Sequence, residues 1–180
     1  MPKVSVVVPV YGVEKYIERC ARSLFEQTLD DIEYLFIDDC TPDKSVEILK
    51  QVMEDYPQRK NKVVIHRIEQ NSGQAKVRES GMRSATGEYV IHCDSDDWVH
   101  PEMYERLYHY AVTGDYDMVW CDYYRSDGKH NEYIPQESDT QAVNLVGNML
   151  AGSRSRLIGS VWKRVCQKQK NTFNINQNSQ

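Results

Sequence analysis

The first 112 residues alternate between two hydrophobic patterns. Short, nearly continuous apolar runs are typical of strands covered on both faces, and longer segments with helical spacing of apolar residues are typical of amphipathic helices. The runs predict strands at residues 3–9, 32–37, 63–68 and 88–93, and the spaced segments predict helices at 14–27, 41–56, 74–85 and 101–112. This alternation predicts an α/β fold, in which helices flank a mostly parallel, Rossmann-like sheet with right-handed crossovers.

The pattern weakens after residue 123. The later elements that we predict are a strand at 118–121, a polar loop at 126–140, a helix at 141–150 and a returning strand at 157–162. Residues 171–180 are rich in Asn and Gln and offer too little apolar surface to pack, so we expect a disordered tail. The chain thus divides into a core at 1–123, a partial region at 124–170 and the tail.

Charge narrows the range of partners. A chain of 180 residues with a net charge of −5 is long enough for one substantial domain, and it offers no basic surface for nucleic acid. Residues 154–170 carry six positive charges and no negative ones. We interpret this run as a solvated face; an anionic membrane or a phosphate-bearing acceptor is the alternative.

The five cysteines form no CxxC pair, and most lie in apolar stretches where Cys behaves as a small hydrophobic residue. The chain opens without a leader pattern, and no apolar run approaches the roughly 18 residues of a membrane span. We therefore expect a reduced, cytoplasmic protein, with peripheral association at the inner face of the membrane left open, as is the oligomeric state.

The most polar chemistry follows the fourth predicted strand, where Asp94, Asp96 and Asp97 crowd into four positions around Ser95. Carboxylates about 5 Å apart repel by about 3 kcal/mol per pair at an effective dielectric near 20. A divalent cation removes that cost, and oxygen donors suit Mg²⁺ or Mn²⁺, so Asp94 and Asp96 are candidate metal ligands. The alternative is a solvated Asp-rich turn whose side chains bond to nearby backbone N–H groups.

Polar groups also follow the other predicted strands, so we expect a site at the carboxyl edge of the sheet. The residues are Pro9, Val10 and Tyr11 after strand one, Asp38 and Asp39 after strand two, and Asn71 and Gly73 after strand three. A carboxylate after strand two is typical of nucleotide sites, where it accepts hydrogen bonds from a base or a ribose. Because no glycine-rich phosphate loop exists, a metal together with Lys76 or Arg78 would have to neutralise bound phosphates.

Taken together, these segments resemble the family 2 glycosyltransferases of the GT-A fold. The matching segments are Val4-Ser-Val-Val-Val-Pro-Val-Tyr11, Tyr16-Ile17, Ser23-Leu24, Gln27-Thr28, Ile37-Asp-Asp39, Asn71-x-Gly73, Arg78-x-x-Gly81, Ala85-x-Gly-Glu-Tyr89 and Asp94-Ser-Asp-Asp-Trp98. They cover roughly residues 3–123 in the family's order and spacing. The resemblance implies a donor-binding core over this part, with an incomplete acceptor side at 124–170.

The resemblance further implies a nucleotide-sugar donor, most often a UDP-sugar, a glycan or lipid-linked acceptor, and inversion at the anomeric carbon. Carried over by position, the residues that would border the nucleotide are Pro9, Val10, Tyr11 and Glu14. Asp39 would contact the base, with Asp38 beside it, and Arg78 would lie near the uracil or the diphosphate. Asp94 and Ser95 would meet the ribose and the diphosphate, and Asp96 would hold the metal. Gly12, Cys40 and Glu79 depart from the family's usual Asn, Gly and Asn.

One departure concerns the general base. The family places this base, an acidic residue, well after the Asp cluster, but this chain has no Asp or Glu beyond Asp139. The acidic residues nearest to that place, and hence the candidates, are Asp122, Glu137 and Asp139, and none of them matches the family's position. The catalytic residue therefore stays unassigned. The alternative function is therefore a truncated or non-catalytic nucleotide-sugar-binding module.

Two further classes fit less well. A phospho-receiver domain needs an Asp pair after strand one and a phosphoacceptor Asp after strand three, but this chain has Pro9-Val10 and Glu69-Gln70 at these places. A sugar nucleotidyltransferase usually has a glycine-rich segment after strand one, which is absent here.

Overall fold

The computed structural model describes residues 1–126 and 129–135, together with the backbone of residues 161–163. The helices are α1 (Ile17–Phe25), α2 (Ser45–Glu54), α3 (Gln74–Ser84) and α4 (Met103–Thr113), with a 3-10 helix at Pro57–Lys62. The strands are β1 (Val4–Val10), β2 (Ile32–Asp38), β3 (Val63–Arg67), β4 (Tyr89–His92), β5 (Met118–Val119), β6 (Tyr123–Ser126), β7 (Asn131–Ile134) and β8 (Val161–Lys163). None of these described helices is both long and apolar enough to cross a membrane.

Six strands form one sheet in the order β3-β2-β1-β4-β8-β5. The strands β1 to β4 are mutually parallel, whereas β8 runs antiparallel between β4 and β5. The chain adds β2 and β3 on one side of β1 and then crosses to add β4 on the other side. The strand order therefore reverses between β1 and β4, and the predicted mostly parallel α/β sheet is confirmed.

Alternation along β1 distributes the core over both faces of the sheet. Val4, Val6, Val8 and Val10 pack in a large cluster with apolar residues of α1, α2 and α4. Val7 points to the opposite face, where it shares a smaller cluster with residues of β2, β4 and α3. A strand that is buried on both faces explains why its sequence is a continuous apolar run.

The predicted elements occur with shifted ends. The helix predicted from residue 14 begins at Ile17, because the N–H groups of Tyr16 and Ile17 both donate to the carbonyl of Val13 in a turn. The polar loop predicted at 126–140 is wrong over its first part, because β7 pairs with β6 as a hairpin. The predicted returning strand is present at Val161–Lys163. The helix predicted at 141–150, residues 157–160 and the tail at 171–180 lie outside the described residues.

Gly87 lets β4 begin against the backbone of β1. A Cβ at this position would lie 2.7 Å from the nitrogen of Ser5 and 2.9 Å from the carbonyl carbon of Val4, distances that real Cβ atoms do not show. Its N–H also donates to the Ser5 hydroxyl at 2.7 Å, so the approach is fixed by a hydrogen bond.

We expect Gly87→Ala to lower the free energy of unfolding by about 1–3 kcal/mol, because the obstructing atoms are backbone and cannot rotate away. Urea denaturation measures the loss. Gly114→Ala is the matched control, since the three atoms nearest to its added Cβ all belong to the exposed side chain of Tyr116 rather than to backbone. Equal losses in the two variants would contradict this explanation.

Candidate functional site

The carboxyl ends of β2, β1 and β4 lie side by side, with β1 in the middle. Because adjacent strands lie about 4.8 Å apart, the axes of β2 and β4 are about 10 Å apart across β1. Along the strand direction, β2 ends level with Val10 and β4 ends level with Val7. The strand order reverses at the β1–β4 junction, and crevices at such switch points bind ligands in open α/β sheets. The predicted residues that follow β1, β2 and β4 are therefore brought to one edge of the sheet.

At the end of β1, backbone rather than side chains faces this edge. The side chain of Val10 is buried in the core, and its carbonyl accepts the N–H of Asp39 at 3.1 Å. Pro9 is half-buried, whereas Tyr11 is exposed. Of these three predicted residues, only Tyr11 has an exposed side chain.

Asp39 holds the loop after β3 in place across the end of β2. It is only 4% exposed, and its Oδ1 accepts the N–H and the hydroxyl of Ser72 at 2.8 and 3.0 Å. Its Oδ2 accepts the N–H of Gly73 at 3.0 Å. Three of the roughly four acceptor positions of a carboxylate are thus used. One position is left for an N–H or O–H group of a ligand.

Asp38 is also buried and partnered. Its Oδ1 accepts the N–H of Thr41 at 2.8 Å, and its Oδ2 forms an ion pair with Nη1 of Arg67 at 3.0 Å. Cys40 lies between these contacts with a φ of 57°, in the left-handed region that favours glycine, and its sulfur accepts from Arg67 at 3.6 Å. Arg67, which the sequence did not single out, therefore belongs to this corner of the site.

The loop between β1 and α1 is tied to the segment that leads into α2. The N–H of Glu14 donates to Asp43 Oδ2 at 3.0 Å, and the N–H of Lys44 donates to Glu14 Oε2 at 3.3 Å. Partial burial opposes ionisation of Asp43, but hydrogen bonds from Ser45 and Thr41 outweigh it and lower the pKa of Asp43 to about 2. Glu14 therefore stabilises the rim of the site through backbone contacts.

The acidic loop after β4 presents its carboxylates to different degrees. Asp96 is exposed, Asp94 and Asp97 are half-buried, and Ser95 is buried. Nη2 of Arg78 forms an ion pair with Asp94 Oδ1 at 2.6 Å. Burial raises the pKa of Asp97, and the neighbouring charges of Asp96 and Asp94 raise it further. The loop thus concentrates negative charge, which Arg78 neutralises from one side.

Two buried polar atoms lie behind this ion pair. Among the described residues, Nε of Arg78 and Nδ1 of His92 have no hydrogen-bond partner. Burial lowers the pKa of His92, and the charge of Arg78 lowers it further against the opposing effect of Asp94. His92 is therefore neutral near pH 7, and this corner retains unused hydrogen-bonding capacity for water or for a ligand.

The acidic loop fits a divalent cation that is bound together with a phosphate ligand. In the described part of the chain, no three His, Cys, Asp or Glu side chains form a metal-binding group. The carboxylate of Asp96 is exposed and makes no ion pair with the described residues, and one oxygen of Asp94 is free of Arg78. Mg²⁺ is usually bound by one or two carboxylates plus substrate phosphates, and Asp96 and Asp94 match that donor set.

The other predicted residues are exposed, paired with another side chain, or outside the described residues. Asn71 and Lys76 are exposed, and Lys76 is two residues from Arg78, about 200° around the same helix. Asp122 precedes β6 and accepts a hydrogen bond from the hydroxyl of Tyr133. The remaining general-base candidates, Glu137 and Asp139, are not described.

Comparison with protein families gives a match over nearly the whole chain. The profile described as "Glycosyl transferase family 2" matches residues 5–174. A Bacillus subtilis (strain 168) protein named "Uncharacterized glycosyltransferase EpsJ" is 34% identical over 174 residues, which is 94% of this chain and 49% of EpsJ. The poly(ribitol-phosphate) beta-glucosyltransferase of Bacillus spizizenii (strain ATCC 23059 / NRRL B-14472 / W23) is 36% identical over 119 residues, which is 65% of this chain and 18% of that protein.

A solved structure gives the same comparison in three dimensions. The crystal structure of S. aureus TarS 1-349 in complex with UDP has a TM-score of 0.64 and 28% identity to this chain. The match covers 74% of this chain and 38% of that structure. The chain thus spans about half or less of the length of these relatives.

Proposed function

The chain belongs to glycosyl transferase family 2 and has the GT-A fold, and from that premise we propose that it transfers a sugar from a UDP-sugar to a hydroxyl of a glycan or lipid-linked acceptor. The transfer is metal-assisted and inverts the anomeric carbon. Residues 1–123 form the donor-binding core, and residues 124–170 contribute to the acceptor side.

The observation that carries this proposal is that the buried Asp39 follows β2, while the Arg78–Asp94 ion pair and the exposed Asp96 follow β4, on either side of β1 at the strand-order reversal. One side of the crevice offers a buried carboxylate with an acceptor position left, which suits the N–H of a base. The other side offers one guanidinium and an exposed carboxylate, which suit a diphosphate and its cation. The complex of TarS with UDP supports the choice of nucleotide.

Each residue has a distinct task in this proposal. Asp39 accepts a hydrogen bond from the base, while the backbone of Pro9 to Tyr11 borders the nucleotide. Asp96, with Asp94, holds Mn²⁺ or Mg²⁺, which when bound supplies a Lewis acid that stabilises negative charge on the diphosphate. Arg78 adds a fixed positive charge on the same side.

The reaction itself is a single displacement. The oxygen of the acceptor hydroxyl forms a bond to the anomeric carbon from the face opposite the diphosphate, and the bond to the diphosphate oxygen breaks, so the configuration inverts. UDP leaves with the electron pair of that bond. The hydroxyl proton passes to a base, and no described residue is assigned to that role.

The acceptor and the location follow from the same proposal. The beta-glucosyltransferase that resembles this chain is named for poly(ribitol-phosphate), which supports a surface polymer or its lipid-linked precursor as the acceptor class. Nucleotide sugars are cytoplasmic metabolites, so we place the enzyme in the cytoplasm, where peripheral contact with the inner face of the membrane would bring it to a lipid-linked acceptor.

Calorimetry with UDP tests the donor site on the full chain. We expect UDP to bind with Mn²⁺ present and to bind at least about tenfold more weakly in EDTA, because two carboxylates would then face the diphosphate without a cation. GDP is the control for base recognition and should bind more weakly than UDP. Equal affinity with and without Mn²⁺ would contradict the metal-assisted site.

A second measurement separates a transferase from a binding module. UDP release from a panel of UDP-sugars, measured with and without simple saccharide acceptors, should rise for one sugar only. Tight UDP binding with no turnover of any sugar would instead identify a donor-binding module without transfer.

A further inference from the structure

The backbone of the acidic loop is tethered to one side of α1. Cys20 donates to the carbonyl of Asp94 at 3.8 Å, and Ser23 accepts the N–H of Val99 at 3.2 Å. Beyond the helix, Gln27 donates to the carbonyl of His100 at 2.8 Å. Cys20 and Gln27 are buried. These contacts are therefore part of the core, and their loss would disturb the fold as well as the loop.

Arg19 adds a tether of a different kind, because it lies on the exposed side of the helix. Its Nη2 donates to the carbonyl of Asp96 at 3.1 Å. Its guanidinium carbon also lies 3.8 Å from the ring centroid of Trp98, within the range of a cation–π contact. The side chain of Arg19 thus contacts the loop on both sides of Asp97, at Asp96 and at Trp98.

We propose that Arg19 is a positioning residue for the donor site, which holds the segment Asp96–Trp98 so that the carboxylate of Asp96 faces the cation and the diphosphate. The inference rests on the function proposed above. Arg19 is not one of the residues that carry the family resemblance, and it touches neither the nucleotide nor the cation in this assignment. It acts through the backbone of Asp96 and the ring of Trp98.

The tether and the positive charge of Arg19 predict opposite effects on Mn²⁺ binding when Arg19 is replaced. A positive charge beside Asp96 by itself opposes cation binding, so removal of that charge alone would strengthen the binding of Mn²⁺. Loss of the tether would let the loop move and would weaken the binding of Mn²⁺. Two variants separate the effect of the charge from the effect of the tether. Arg19→Lys keeps the charge but loses the planar stack on Trp98, whereas Arg19→Met loses both the charge and the hydrogen bond.

The first readout needs no ligand. The fluorescence of Trp98 is obtained by subtracting the signal of the same protein carrying Trp98→Phe. Acrylamide quenching of this fluorescence should increase at least about twofold in Arg19→Met, because the guanidinium that covers the ring is gone. Arg22→Met is the matched control on the same helix, since Arg22 pairs with Glu18 and Asp55. Quenching that is unchanged in Arg19→Met would overturn the tether.

The second readout is Mn²⁺ binding in the presence of UDP, followed by electron paramagnetic resonance of free Mn²⁺. We expect Arg19→Lys and Arg19→Met both to weaken binding by about 3- to 10-fold, with Arg22→Met unchanged. Tighter binding in Arg19→Met, or no change in either variant, would overturn the positioning role. If the wild-type chain binds no Mn²⁺ with UDP, the proposed donor site fails while the quenching result still decides the tether.

Discussion

Replacing Asp96 with asparagine is expected to reduce sugar transfer by about 10²–10³-fold, the usual effect of removing one electrostatic contact to a developing charge. Asparagine keeps the size of the side chain and one oxygen, but it loses the negative charge that would hold the cation. Asp96 is exposed and its carboxylate pairs with no described residue, so the fold does not depend on it. Transfer assays, together with calorimetry of UDP in Mn²⁺, measure the loss.

We expect Asp96→Asn to raise the free energy of unfolding slightly. Burial raises the pKa of Asp97, and repulsion from the neighbouring charge of Asp96 raises it further. Removing one charge relieves part of that repulsion. A variant that is inactive because it is unfolded would instead show a lower melting temperature.

Asp55→Asn is the matched control for charge. Asp55 is an exposed carboxylate just after α2 that pairs with Arg22 of α1. It should retain full UDP binding and transfer. If Asp96→Asn binds UDP in Mn²⁺ as tightly as Asp55→Asn does, Asp96 is not the metal ligand.

The sheet was predictable because its strands are buried on both faces. Each of the runs that become β1 and β2 is apolar almost throughout, and an extended segment can hide such a run only between two helical layers. The acids after β2 and β4 could be predicted to share an edge for the same reason, since parallel strands end on the same side. The ends of strands and helices shifted by a few residues. At the start of α1, the turn Val13–Tyr16 satisfies the first backbone groups.

The partners of the acids could not be predicted. The sequence predicted that Asp39 contacts the base, with Asp38 beside it, but it did not predict that Asp38 pairs with Arg67 or that Asp39 binds the N–H groups of Ser72 and Gly73. These contacts depend on the register of β3 against β2, which sets Asp38 opposite Arg67. A sequence pattern places a residue after a strand but does not specify which neighbouring segment meets it.

The β6–β7 hairpin was missed because its strands bury almost nothing. Most of its residues are exposed, so the alternation of apolar and polar positions that marks a half-buried strand is weak. The signal that remained was a pair of tyrosines, Tyr124 and Tyr133, which face each other across the strands with ring centroids 5.5 Å apart. Cross-strand aromatic pairs of this kind stabilise two-stranded ribbons.

Replacing Arg59 with methionine is expected to lower the free energy of unfolding by about 2–4 kcal/mol. Arg59 is a charged residue that is only 6% exposed, and its guanidinium donates to three backbone carbonyls: Phe25 at 3.1 Å, Gln27 at 2.5 Å and Leu29 at 3.3 Å. These carbonyls lie at the last residue of α1 and just after it, where helical partners run out and partial negative charge collects. Methionine fills similar space but donates no hydrogen bond, so all three acceptors lose a charged donor.

Urea denaturation of Arg59→Met and Arg83→Met measures this effect against a control. Arg83 loses a similar side chain, but its partner is Glu79, one helical turn away on the exposed surface, and such pairs contribute about 0.3–0.5 kcal/mol. Because Arg59 bonds to residues 25–30 and to no residue of the acidic loop, Arg59→Met should weaken UDP binding only as far as it unfolds the chain. A loss of stability no larger than that of Arg83→Met would mean that the carbonyls after α1 find other donors, and the end of this helix would then not depend on Arg59.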